Sequence, residues 1–127
     1  MAQERSIKAE FILDLFNALP DAIVFLEPVF EDKKIVDFEI GYINDALEEY
    51  TGKLPIVLQG KKVLEHQMPS VSSYKEVFAG ALEAYYSPKP VHSSYYNAYV
   101  GAEITVIRKR FKHGVLGISR SIRKAKV

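Results

Sequence analysis

Between Tyr74 and Tyr85 apolar side chains recur at i, i+3, i+4, i+7, i+8 and i+11, as Tyr74, Val77, Phe78, Ala81, Leu82 and Tyr85. That period draws one continuous stripe down a helix, and a stripe of that length has to be buried against something broad. Ser73 and Glu76 in "SYKE" have the spacing of a capping box, so Ser73 is expected to cap the helix start. "SPKP", residues 87 to 90, ends it. The flanking segments decide what the broad partner is.

After the helix, three segments read as strands, roughly 91 to 99, 102 to 111 and 115 to 122, with turns around Gly101 and at "KHG". Before it, "AIVFLEPV" (22 to 29) is a short run of branched and aromatic residues fit for a buried strand, and the polar "FEDKK" follows as a turn. "IVDFEIGYI" then alternates, which places Phe38, Ile40 and Tyr42 on one face and Asp37, Glu39 and Gly41 on the other. Strands joined by turns this short are antiparallel. The fold class is therefore α+β: a five-stranded antiparallel sheet whose inner face buries the helical stripe, with the helices on one face. A chain of 127 residues, 48% hydrophobic and without a low-complexity tract, makes one such domain.

Asn44 follows the second strand. Its side-chain oxygen is suited to accept an amide hydrogen from the first turn of a short helix, where Asp45 would face the positive end of the helix dipole. Ala46, Leu47 and Tyr50 form the apolar side of that helix and Gly52 its exit. Glu48 and Glu49, about 100° apart around the axis, read as solvated surface rather than an acid/base pair. At the N-terminus, residues 6 to 19 carry Ile7, Phe11, Leu15 and Leu19 at helical spacing, broadened by Ile12 and Phe16, until Pro20 and Asp21 stop the helix. This amphipathic arc is wider than one sheet edge requires, so Ile7, Phe11 and Leu15 are candidates for a dimer interface.

Several function classes fall away. With no cysteine there is no disulfide, thiolate metal site or cysteine nucleophile, and the dispersed His66, His92 and His113 have no zinc-site spacing. No catalytic constellation or phosphate-binding loop is recognisable; Glu103 and His92 are loosely placed for a small α+β enzyme, and both read as solvent-facing. No apolar run is long enough to span a bilayer and the start lacks a signal-peptide pattern, so no membrane contact and a cytoplasmic location are expected. Residues 1 to 64 hold 12 acids against 7 bases, whereas 65 to 127 hold 4 against 10. The basic end is not read as a nucleic-acid footprint, because Arg108, Lys109 and Arg110 continue the strand pattern of Ile104, Val106 and Ile107 and are expected on a solvated sheet face or edge.

From about residue 12 to 123 the chain resembles a PAS sensory domain of the kind common in bacterial signalling proteins. The resemblance rests on "LPDAIVFLEPV" as first strand, "IVDFEIGYINDALEEYTG" as second strand and following helix, "LQGKKVLE" before the connecting helices, and "YKEVFAGALEAYYSPKPV" as the long helix leading to the third strand. Two departures concern signal output. Ser121, Ile122 and Arg123 stand where many such domains have Asp-Ile-Thr, and no tryptophan lies near "GAEITV". The resemblance divides the chain into a leader helix (1 to 20), a sensory domain (21 to 123) and the start of an output linker (124 to 127).

What the resemblance implies is a non-catalytic input domain of a two-component system. It would sense a small ligand or mediate homodimerisation for a histidine kinase or a diguanylate cyclase (GGDEF) output domain in the parent chain. A cavity between the long helix and the sheet would have Tyr42, Tyr50, Phe78, Leu82 and Tyr95 as wall residues, unless these pack a filled core. Light-oxygen-voltage flavin and coumarate chromophores both need a cysteine and are excluded; His66 is a poor haem ligand candidate, and noncovalent flavin stays open. A ligand-free homodimeric adaptor is the alternative, and a small cone-shaped α+β enzyme a second.

Overall fold

The computed structural model describes residues 2–51, 55–66, 74–97 and 100–122, with side chains described for 9–49, 56–65, 74–97 and 100–120. Ser73 and Gly52 lie outside these residues, as do the side chains of Ile7, Tyr50 and His66. Helix α1 (Ala2–Ala18) ends just before Pro20, whose ring disfavours helical backbone in the preceding residue. Strands β1 (Ala22–Glu31) and β2 (Lys34–Ile43) form a hairpin turned by Asp32 and Lys33, both at positive φ (49° and 66°). A 3₁₀ turn (Asp45–Leu47) and three single-turn helices follow: α2 (Glu48–Thr51), α3 (Pro55–Leu58) and α4 (Val63–His66). The long helix α5 (Tyr74–Tyr86) leads into the meander β3 (Val91–Asn97), β4 (Ala102–Phe111) and β5 (Gly114–Ile122).

All strand pairs are antiparallel, in the order β2-β1-β5-β4-β3. β5 is therefore central, flanked by β1 and β4, and β1, first in sequence, closes against the last strand. One face carries Leu26, Phe38, Ile40, Ile104 and Val115, and α5 lies over it with Ala81 and Ala84 fully buried. Phe78 meets Phe38 at 5.8 Å between ring centroids, and Leu82 packs on the same core. The small side chains of Ala81 and Ala84 allow the close approach, while Phe78 and Leu82 fill the space on one side of it.

The alternation in β2 is interrupted. Phe25 pairs with Tyr42 and Leu26 with Ile40, so Gly41 is an extra, bulged residue. A Cβ there would lie 2.7 Å from Glu27 Oε1. The bulge turns Tyr42 to the opposite face from Phe38 and Ile40, where it is 61% exposed; Tyr42 is therefore not a wall residue of a helix–sheet cavity. A second irregularity, between the Val29–Asp37 and Phe30–Ile35 pairs, breaks the expected wet row of Asp37, Glu39 and Gly41. Asp37 is buried, and its carboxylate accepts the Phe38 (2.7 Å), Leu64 (2.9 Å) and Glu65 (3.3 Å) amides. It thereby satisfies N–H groups that α4 cannot pair internally. The outer edge of β2 is covered as well: Ile40 donates to the Lys61 carbonyl (2.8 Å) and accepts from the Gly60 amide (2.7 Å). Among the described residues no helix is long and apolar enough to cross a membrane.

Candidate functional site

Asn44 stands at the start of the 3₁₀ turn, but its side chain makes no hydrogen bond to that turn. The expected cap is a different device. Asn44 is fully buried, and its Oδ1 accepts the Ile23 amide at 2.7 Å while its Nδ2 donates to the carbonyls of Phe16 (3.0 Å) and Asp21 (2.9 Å). The Phe16 carbonyl is in the last turn of α1, where no intrahelical donor is available. Asn17 returns the favour, its Oδ1 accepting the Asp45 amide at 3.1 Å. Two asparagines thus exchange caps: Asn44 closes the end of α1, and Asn17 closes the start of the 3₁₀ turn. Nearby, Arg120 of β5 holds Asp21 through Nε (3.1 Å) and Nη2 (2.9 Å), and this contact pulls the Asp21 carboxyl below its ordinary pKa. The end of α1 is thus tied to the sheet by polar, directional contacts.

The outer sheet face beside α1 is apolar. Phe25 is the centre of an aromatic group, 6.1 Å from the rings of Tyr42 and Phe111 and 5.3 Å from that of His113. With Ile12, Leu13 and Phe16 of α1 these residues border a groove of about 420 Å³. Phe11, Ile12, Leu13 and Leu15 are all more than half exposed. Of the candidate dimer residues, Phe11 and Leu15 therefore face solvent in the single chain.

A second cavity, of about 260 Å³, lies on the other face between α5 and the β3–β4 pair. Glu76, Val77, Gly80 and Glu83 border it from the helix, Ser93 and Tyr95 from β3, and Arg108 from β4. Arg108 corrects the expectation of a solvated basic strand face. It continues the inward row of Ile104 and Val106 and is 6% exposed, whereas Lys109 and Arg110 are exposed. Its Nη1 donates to Ser93 Oγ at 3.3 Å. Burial lowers its pKa from the ordinary arginine value, and the nearby Tyr95 opposes that shift. Arg110 instead donates to the Tyr85 carbonyl (3.1 Å) at the end of α5, with its guanidinium 3.8 Å above the Tyr85 ring.

Of the proposed wall residues, Tyr95 borders this cavity, Phe78 and Leu82 pack on the core, and Tyr42 lies on the far face. Sequence reasoning missed Arg108, although its parity with Ile104 and Val106 marks it as inward-facing. Among the described residues no group of three or more His, Cys, Asp or Glu is placed to hold a metal ion. Glu103 and His92 are exposed, on different strands.

No protein-family model matches the chain, and no curated protein matches it. Among solved structures, the PAS domain of an HTR-like protein from Haloarcula marismortui is similar with a TM-score of 0.61 and 18% sequence identity, over 95% of this chain and 97% of that one. At this identity the similarity is one of backbone path. The chain has the fold of a PAS domain.

Proposed function

We propose that this domain is a non-catalytic signal-input module that receives a small molecule between α5 and the sheet and passes the change to α1. The observation that carries the ligand reading is Arg108, a buried guanidinium at the wall of a cavity. Core packing alone favours an apolar residue there, whereas a receptor site needs a small number of placed polar groups in an otherwise apolar lining. The polar joint at Asn44 supports the second half of the proposal, because it ties the last turn of α1 to the start of β1 by directional bonds. The output partner in this reading is a histidine kinase or diguanylate cyclase type domain in the parent chain.

A second reading, the ligand-free homodimeric adaptor, is favoured by the exposed apolar residues of α1 beside the outer groove. The two readings are separated by native mass spectrometry of the chain purified from cells, which reports subunit number and any retained small molecule together. A retained molecule, lost on mild activation, is the outcome expected of the input module. A dimer that retains nothing and is not stabilised by any metabolite in a thermal-shift screen would refute the ligand reading in favour of the adaptor.

A further inference from the structure

Arg108 is a charged group in a place where the core has no use for one. A guanidinium stays ionised at any physiological pH, and its burial is costly unless a counter-charge or a full set of acceptors meets it. Among the described residues its side chain makes one hydrogen bond, to Ser93 Oγ, which at 3.3 Å is long for an N–H···O bond. Among the described residues no ion pair reaches it. The surrounding chain nevertheless makes room for it. Gly80 stands inside α5, where glycine is a poorer choice than alanine, and a Cβ built there would overlap Arg108 Nη1. Across the sheet, Arg108 pairs with Gly117 of β5, which places no side chain beside it.

The mouth of the same cavity carries the opposite charge. Glu76 and Glu83 lie about one helical turn to either side of Gly80, on the same side of α5. A purely anionic ligand seated on Arg108 meets both carboxylates, and a purely cationic one leaves the guanidinium without a partner. A molecule carrying both charges meets an opposite charge at each end and leaves the net charge of the site unchanged. At about 260 Å³ the cavity is small for a ligand site, which suits a small molecule.

Resting on the reading of this cavity as the receptor site, we infer that its ligand is a small zwitterion of the amino-acid type. The carboxylate is received by Arg108 and the Ser93 hydroxyl, and the ammonium lies toward Glu83. Arginine suits the first task because its planar fork matches a carboxylate in two parallel hydrogen bonds.

The test is calorimetric titration of the whole chain with each standard amino acid. For the tightest binder, the deaminated acid and the decarboxylated amine are titrated as matched controls. Both analogues are expected to bind at least about tenfold more weakly, equivalent to the loss of about 1.4 kcal/mol. Arg108→Met should abolish binding. Gly80→Ala should weaken binding at least about tenfold while leaving the fold intact, because the new methyl group meets the flexible tip of a side chain and not backbone. Glu83→Gln should weaken the amino acid but not its deaminated analogue. The inference is overturned if no amino acid binds, if the deaminated acid binds as tightly as its parent, or if Gly80→Ala and Arg108→Met both bind like the unmodified chain. A neutral molecule retained from cells would overturn this inference and leave the receptor reading standing. Absence of both a retained molecule and any binder would overturn the two together.

Discussion

Replacing Asn44 by aspartate separates two physical roles that alanine alone confuses. As an N-cap, aspartate equals asparagine within a few tenths of a kcal/mol and gains from the helix dipole, while alanine costs about 1 kcal/mol. In the observed geometry the order reverses. Asn44 accepts one amide hydrogen and donates two, to the Phe16 and Asp21 carbonyls at 3.0 and 2.9 Å, from a fully buried position. Alanine removes all three bonds. At a net value near 1 kcal/mol each, with a further penalty for whichever group stays dry, Asn44→Ala should cost about 3 kcal/mol. Aspartate keeps the acceptor for Ile23 but sets carboxylate oxygens against two carbonyl oxygens at hydrogen-bond distance, so Asn44→Asp should be at least as damaging. Urea unfolding of the parent and both variants at neutral pH gives the order, provided their m-values agree. A stability of Asn44→Asp within about 0.5 kcal/mol of the parent would refute the clamp and restore the cap.

Three further outcomes follow from particular contacts. Arg108→Met should raise the stability of the ligand-free domain, by up to about 4 kcal/mol if it follows the replacement of buried ion pairs by apolar side chains; a loss in urea unfolding would make Arg108 a structural brace. Lys33→Gly should stabilise the β1–β2 hairpin by about 1 kcal/mol, because the φ of 66° at Lys33 is free of strain for glycine alone, and an unchanged urea midpoint would contradict this. The Asp21 carboxyl, held below its ordinary pKa by Arg120, contributes stability above the unfolded-state value of about 3.9 that is lost as pH falls through the folded value. Asp21→Asn should therefore flatten the acid limb of the stability profile while costing less than about 1 kcal/mol at neutral pH, since the Arg120 side chain is 73% exposed; an unaltered acid limb would remove this pair from the account.

The element order was readable because it depends on local signals: Pro20 ends α1, "SPKP" ends α5, and the periods of three to four and of two distinguish the long helix from the strands. The errors came where local signals are silent. Tyr42 obeys the alternation of β2 on paper, but the bulge at Gly41 shifts the register, and one residue of shift moves a side chain to the other face. Asn44 reads as the cap of the nearest helix end, whereas its partners lie 21 to 28 residues back in the chain. Nothing in the residues adjacent to it marks that distance. Arg108 is a different case. With Lys109 and Arg110 it reads as part of a solvated strand face, yet it shares the inward parity of Ile104 and Val106. Gly80, interrupting an otherwise favourable helix, was the second clue.

The magnitudes bear on whether a ligand near Arg108 can act on α1. The route is short: Arg108 pairs with Gly117, Gly117 with Val24, and the preceding residue of β1, Ile23, is held by Asn44. Spatial continuity is not coupling; what is needed is a ligand that binds differently to two states of the joint. A ligand present at a hundredfold excess over its Kd contributes about 2.7 kcal/mol to the state that binds it. The Asn44 joint, at about 3 kcal/mol, is of the same size, so a ligand that bound only one of two seatings of α1 would change the balance between them. Reciprocity then gives the expected outcome for the proposed relay. If occupancy loosens or tightens the joint, Asn44→Ala must change the affinity for the tightest-binding amino acid, typically by fivefold or more, roughly 1 kcal/mol. Calorimetric titration of a variant that remains folded reads this directly. An affinity equal to that of the parent would mean that the cavity and the leader helix are energetically independent, and the relay would have to run through α5 and the short helices instead.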